Sequence, residues 1–227
     1  MKMSVIRAIL VANMVITLLL TLPMLAGAAA VPWSSQSYSV WTRAYTAGDY
    51  DSSSGLLSAS ALVDSNCCSD GWEYGYGNAN GSLLEVAAST QGAYAYSQAY
   101  AEFKGTYIAS DPTILYSYDL TRNYSGAVVG NWGSILIQDM TASSTLYSWA
   151  GLLSDSDTIT IPTTVGNEIY VNLSIEATAT SGSLGVPEVN SAALSYTTAI
   201  APEPISSILF ITGGTLLAGR RFIRRKV

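Results

Sequence analysis

The sequence predicts an all-β protein, a single antiparallel β-sandwich of jelly-roll type. Three observations predict it. Apolar and polar residues alternate strictly over several stretches, the period-2 mark of a half-buried strand. Gly, Asn, Asp, Ser and Pro clusters punctuate those stretches at short intervals. The composition is low in charge, 11 % against roughly 25 % in ordinary soluble domains, and rich in Tyr, with 15. The chain has 227 residues, of which 49 % are hydrophobic, ample for a core.

Residues 1–30 read as a secretory signal peptide. Lys2 and Arg7 supply the positive start, and an apolar run from Ala8 to Leu25 follows. The small residues 26–30 offer cleavage after Ala28 or Ala30. Transport by the Sec export machinery is the expectation.

Residues 31–200 form the expected sandwich domain. The clearest strand is 168–179, with Ile169, Val171, Leu173, Ile175, Ala177 and Ala179 on one face. Ile114, Tyr116, Tyr118 and Leu120 alternate in the same way, as do Leu57, Ala59, Ala61 and Val63. Shorter strands are expected at 38–45, 83–90, 134–138, 157–161 and 192–198. The segment 93–104 fits both periods: Ala93, Ala95, Ala99, Ala101 and Phe103 share a strand face, while Tyr96, Tyr100, Phe103 and Tyr107 fit a helical stripe. Its Tyr content and β context favour a long strand. Turns are expected at 47–49, 52–55, 75–78, 80–81, 111–112, 181–182 and 185–187. No solenoid repeat or internal linker divides the body.

The C-terminal residues 201–227 have three ordered parts. Pro202-Glu203-Pro204 precedes an uncharged segment, 205–219, about 22 Å long as a helix against the bilayer's ~30 Å core. Arg220, Arg221, Arg224, Arg225 and Lys226 close the chain, a cluster that holds a transmembrane helix on the cytoplasmic side and whose stems extend its reach. This arrangement resembles the PEP-CTERM sorting signal of bacterial exported proteins. The resemblance covers about a tenth of the chain. It implies an exosortase as processing partner, transient membrane attachment through the C-terminal helix, and export to the cell surface or the extracellular matrix of a polysaccharide- and biofilm-forming bacterium.

The absence of His excludes Ser-His-Asp and Cys-His catalysis and nearly every His-containing zinc site. The formal charge of −6 averages unlike parts: +2 in the signal, +4 in the tail and −12 in the body. With Arg43, Lys104 and Arg122 its only bases, the body has no electrostatic basis for nucleic-acid binding. An anionic polysaccharide would need cation bridging, so calcium dependence is expected there; a neutral one would not.

Every Tyr and Trp lies between Trp33 and Tyr196. Two clusters are candidate carbohydrate-binding residues: Trp72, Tyr74 and Tyr76 in a Gly-rich stretch expected to be a loop, and Tyr94, Tyr96 and Tyr100. An exposed aromatic row buries sugar C–H surface; the same residues also serve cross-strand packing, and both readings stand. A glycoside hydrolase would need two carboxylates about 5–10 Å apart. Asp49/Asp51, Asp70/Glu73 and Asp155/Asp157 are the close pairs, read as solvated turn acids. Such turns could hold a structural Ca²⁺, although no EF-hand spacing is present and no other cofactor is implied. Cys67 and Cys68, the only cysteines, would form a local or intermolecular disulfide in an oxidising compartment. Asn80, Asn123 and Asn172 head Asn-x-Ser sequons, which mean little in the bacterial source that the resemblance implies. The expectation is a non-enzymatic surface or matrix protein, with a carbohydrate-binding module as the alternative and a hydrolase behind it.

Overall fold

Strict alternation becomes strand wherever it was read, and the strands outnumber those readings. Among the described residues there are twelve: β1 (Ser35–Ala44), β2 (Asp49–Gly55), β3 (Ser58–Cys67), β4 (Gly71–Asn80), β5 (Leu83–Gln91), β6 (Tyr96–Ile108), β7 (Thr113–Ser125), β8 (Trp132–Asp139), β9 (Ser144–Gly151), β10 (Asp155–Pro162), β11 (Glu168–Thr180) and β12 (Glu188–Ile200). The computed structural model describes residues 30–67, 71–92, 95–125, 132–152, 154–180 and 187–200, with main chain only at 67, 124 and 125. The signal peptide, Ala28, Cys68, Asp70, Tyr94, the turns expected at 181–182 and 185–186, Pro202-Glu203-Pro204, the 205–219 segment and the terminal Arg residues lie outside the described residues.

The strands form two antiparallel six-stranded sheets, ordered β2-β1-β6-β11-β8-β9 and β10-β7-β12-β5-β4-β3. β5 pairs with β12, β6 with β11, β7 with β10 and β8 with β9, a nested set that winds one long antiparallel ribbon across both sheets. β1 and β2 widen the first sheet beside β6, and β3 and β4 widen the second beside β5. The segment 30–199 packs as one unit whose ends meet, Ala30 bridging Ala199.

The inner faces are those the alternation assigned. Ile169, Val171, Leu173, Ile175, Ala177 and Ala179 are all fully buried, as are Ile114, Tyr116, Tyr118 and Leu120. Each large aliphatic side chain so buried contributes about 1.5–3 kcal/mol. Segment 95–104 resolves as strand: Ala95, Ala99, Ala101 and Phe103 point inward on or beside β6. Phe103 stands at the centre, 5.1 Å from Tyr196 of the opposite sheet and 5.2 Å from Tyr38. The hydroxyls of Tyr38 and Tyr196 both donate to the Gly81 carbonyl at 2.8 Å, fixing the β4–β5 turn.

Three expectations are corrected. Residues 52–55 are the end of β2, not a turn, because serines suit a polar edge strand paired only with β1. Residues 75–78 are strand β4, not a turn. Their glycines do not bend the chain; they let two sheets approach. A Cβ on Gly77 would lie 2.2 Å from Val40 Cγ1 and 3.3 Å from the Tyr100 carbonyl oxygen; one on Gly75 would lie 3.0 Å from Thr42 Cβ. Leu57 belongs to the bend before β3 and is 77 % exposed, whereas Ala59, Ala61 and Val63 are buried as read.

Candidate aromatic faces

The sequence Trp72-Glu-Tyr-Gly-Tyr-Gly-Asn-Ala79 builds the first site by alternation alone. Glu73, Gly75, Gly77 and Ala79 face inward, where small residues admit the neighbouring sheet. Trp72, Tyr74, Tyr76 and Asn78 therefore face outward. The stretch is a strand, not the expected loop, and this is what places three rings in line. Alternate residues of a strand are about 6.7 Å apart, so the row runs roughly 13 Å.

Neighbouring strands cover the rings only in part. Tyr74 and Tyr76 pair with Ser89 and Ala87 of β5, too small to cover them. On β3 their partners are Asp64 and Leu62, and Asn66 lies opposite Trp72. All three rings are half-buried. The Trp72 indole N–H donates to Gln91 Oε1 at 2.7 Å, which fixes its orientation, and Asn78 donates to Glu85 at 3.2 Å. Burial raises the Tyr76 hydroxyl pKa, with Glu85 and Tyr74 adding to it, so this hydroxyl stays protonated and able to donate. The row thus offers ring faces flanked by amides and carboxylates, the mixture that sugar C–H and O–H groups need.

Tyr96 and Tyr100 lie on β6, in the other sheet, and face outward there. The two nominated clusters are therefore on opposite outer faces and cannot form one surface. Tyr100 joins residues the sequence reading missed. Register sets Trp41 (β1), Tyr100 (β6), Glu176 (β11) and Trp132 (β8) side by side across four strands. Trp41 and Tyr100 stack at 5.5 Å and 18°, while Trp132 tilts at 49°, 6.4 Å from Tyr100. Between them the Glu176 carboxylate accepts from Trp132 Nε1 at 2.7 Å and from Gln98 Nε2 at 2.5 Å. Burial, with Glu102 adding, pushes the Tyr100 hydroxyl up to about 12. Tyr96 packs on Tyr45 at 4.6 Å, and Arg43 caps the Tyr45 ring at 4.1 Å. No local motif announces Trp41 and Trp132; only the strand order unites them.

The paired acids stand on strands rather than in turns, and Asp49, Asp51 and Asp157 are exposed to solvent as expected. Asp49 and Asp51 lie on β2, where they accept from the Ser65 hydroxyl and the Leu62 N–H. Asp155 on β10 accepts from the Tyr118 hydroxyl at 2.9 Å, and Asp157 from the Thr158 N–H at 2.7 Å. Glu73 is 0 % exposed. Among the described residues no group of three or more Asp, Glu, Cys or His side chains is placed to share a metal ion. An open depression of about 450 Å³ on the β10-β7-β12 face is lined by hydroxyls such as Ser117, Thr158 and Ser195, and by Asp119 and Asp157. The bases are engaged: Lys104 pairs with Glu102 at 2.7 Å, and buried Arg122 donates to the Gly151 carbonyl at 2.6 Å.

No family model and no curated protein matches the chain. Among solved structures, the carbohydrate-binding module TmCBM61 in complex with β-1,4-galactotriose is similar at 8 % identity and a TM-score of 0.32, over 52 % of this chain and 81 % of that one. The adhesin domain of Epf from Streptococcus pyogenes is similar at 10 % identity and 0.29, over 71 % and 57 %. The enzymatically active domain of bacteriophage CBA120 tailspike protein 4 is similar at 10 % and 0.25, over 70 % and 19 %. At such scores these likenesses carry no inference about function.

Proposed function

We propose that the chain is an exported, non-enzymatic cell-surface or matrix protein whose sandwich, read as a jelly roll from its nested strand pairing, binds a neutral polysaccharide on the outer face of β4. One observation carries the reading: Trp72, Tyr74 and Tyr76 form a row of partly exposed rings along one strand with Asn66, Gln91, Asn78 and Glu85 beside them. Rings bury the C–H faces of pyranoses, and the amides and carboxylates take their hydroxyls. The ligand class follows from charge. With fifteen acids against three bases in residues 31–200, the domain repels anionic polymers, so a neutral glycan is the partner that needs no bridging cation.

The cellular half of the reading rests on the chain ends. An N-terminal signal for the Sec machinery and a C-terminal segment resembling PEP-CTERM support export, exosortase processing and delivery to the surface or matrix.

Binding is tested by retention of the full chain on a panel of insoluble neutral polysaccharides. Retention is expected, with the Trp72→Ala/Tyr74→Ala/Tyr76→Ala variant at least tenfold weaker, a difference of about 1.4 kcal/mol. No retention on any member overturns it. Sorting is tested by replacing Pro202, Glu203 and Pro204 with Ala in an exosortase-bearing host; unchanged processing and destination refute that half.

A further inference from the structure

We infer that the sandwich carries a second glycan-contact surface on the opposite face, centred on Trp41, Tyr100, Glu176 and Trp132, so that one domain bridges two neutral polysaccharide chains. This rests on reading the β4 row as a glycan face and extends it from binding to cross-linking.

The geometry points there for three reasons. First, the two rows belong to different sheets and both point away from the shared core, so one chain of sugar cannot occupy both. Second, the Glu176 carboxylate is already oriented. Oε1 accepts from Gln98 Nε2 and Thr178 Oγ1 and Oε2 from Trp132 Nε1, which leaves a lone pair on Oε2 for a pyranose hydroxyl. Third, Trp132 and Tyr100 open at 49° around that carboxylate. Ring and carboxylate are thereby set at right chemistry for the apolar and polar sides of one sugar.

The ligand class is set by the same face. Glu176 and Glu102 both project from it, and its two bases are held, Lys104 by Glu102 at 2.7 Å and Arg43 over the Tyr45 ring at 4.1 Å. Among the described residues the face offers no free cation to an anionic sugar, which the domain's fifteen acids against three bases repel at longer range, whereas a neutral sugar meets only hydrogen-bonding groups. Two such faces on opposite sides give avidity on a polymer network without any new contact.

The test uses the full chain with soluble neutral hexasaccharides of gluco, galacto and manno configuration. Calorimetry is expected to give two sites per chain for the configuration that binds. The Trp72→Ala/Tyr74→Ala/Tyr76→Ala variant should retain one site. Glu176→Gln, which keeps the packing, should weaken the other at least tenfold, and Trp41→Ala/Trp132→Ala should remove it. Native protein should raise the viscosity of the matching dissolved polymer, and either variant set should abolish that rise while still binding. One site lost to the β4 variant, with no effect of Glu176→Gln, overturns the second surface and leaves the first. One site lost only to the Glu176 or Trp variants overturns cross-linking and the β4 reading together.

Discussion

One carboxylate oxygen of Glu73, on β4, accepts the backbone N–H of Tyr96, on β6, at 2.7 Å, tying one sheet to the other through a side chain with no exposure to solvent. The same carboxylate accepts the N–H groups of Thr46 and Ala47 at 3.1–3.2 Å and so holds the β1–β2 turn. Removing a buried acceptor leaves its donors desolvated, at about 1–3 kcal/mol each, and turn donors recover part of that from water. Glu73→Ala is therefore expected to cost about 2–4 kcal/mol. Glu73→Gln, which turns an NH₂ toward these donors, should fall between it and the native chain. Urea midpoints measure both at constant m; a change below about 0.5 kcal/mol would sink the account.

Gly77 is small because Val40 occupies its space. Gly77→Ala forces the new methyl against Val40 Cγ1 and should destabilise by about 1–3 kcal/mol. Val40→Ala removes the obstruction at a cavity cost of its own. The double variant should be more stable than the sum of the singles by about 1 kcal/mol or more. Simple additivity in denaturation would count against the contact.

Tyr116 is fully buried, and its hydroxyl has no hydrogen-bond partner among the described residues. A desolvated polar group without a partner costs about 1–3 kcal/mol. Tyr116→Phe should accordingly raise the melting temperature or leave it unchanged. A loss above about 1 kcal/mol would show that the hydroxyl is satisfied.

Burial raises the pKa of Tyr38, Tyr96, Tyr100, Tyr107, Tyr116, Tyr118 and Tyr196, Tyr100 to about 12. Below the unfolded tyrosine value near 10 both states are protonated, and these groups leave stability flat. Above it the unfolded chain ionises first, so stability falls as pH rises through 10 toward 12. The share of the tyrosinate absorbance at 295 nm that comes from these seven rings should therefore appear late and together with unfolding. On the acid side the Asn167 amide, with the Ala142 N–H, holds the Asp139 carboxyl below its usual range. That contribution is present above about pH 4 and is lost as pH falls through the lowered value. Complete tyrosine ionisation while the protein remains folded would contradict the alkaline limb.

Strands whose inner face is large and apolar were legible, because Ile169 to Ala179 alternate without exception and Ile114 to Leu120 with only Leu115 out of pattern. The unread strands, β2, β4 and β9, have inner faces of Asp and Ser, of Glu, Gly and Ala, or of aromatic residues at a sheet edge. Gly75 and Gly77 have the same letters in a turn as in a close sheet-to-sheet approach, and only the identity of the opposing residue, Val40, separates the two. The candidate sites divide the same way. Trp72, Tyr74 and Tyr76 were found because one strand carries all three. Trp41 and Trp132 were not, because they meet Tyr100 through pairings between segments some sixty and thirty residues distant.

The nested pairing has a consequence in time. β12 is the last of the described strands to be synthesised, yet it lies between β7 and β5, and β11 lies between β6 and β8. Neither sheet can close until residues 168–200 exist, and the contacts that close them span most of the chain. High contact order makes such folding slow, since loop closure precedes the contacts that reward it. The polypeptide therefore stays open throughout its synthesis and acquires its two opposed faces in one late event.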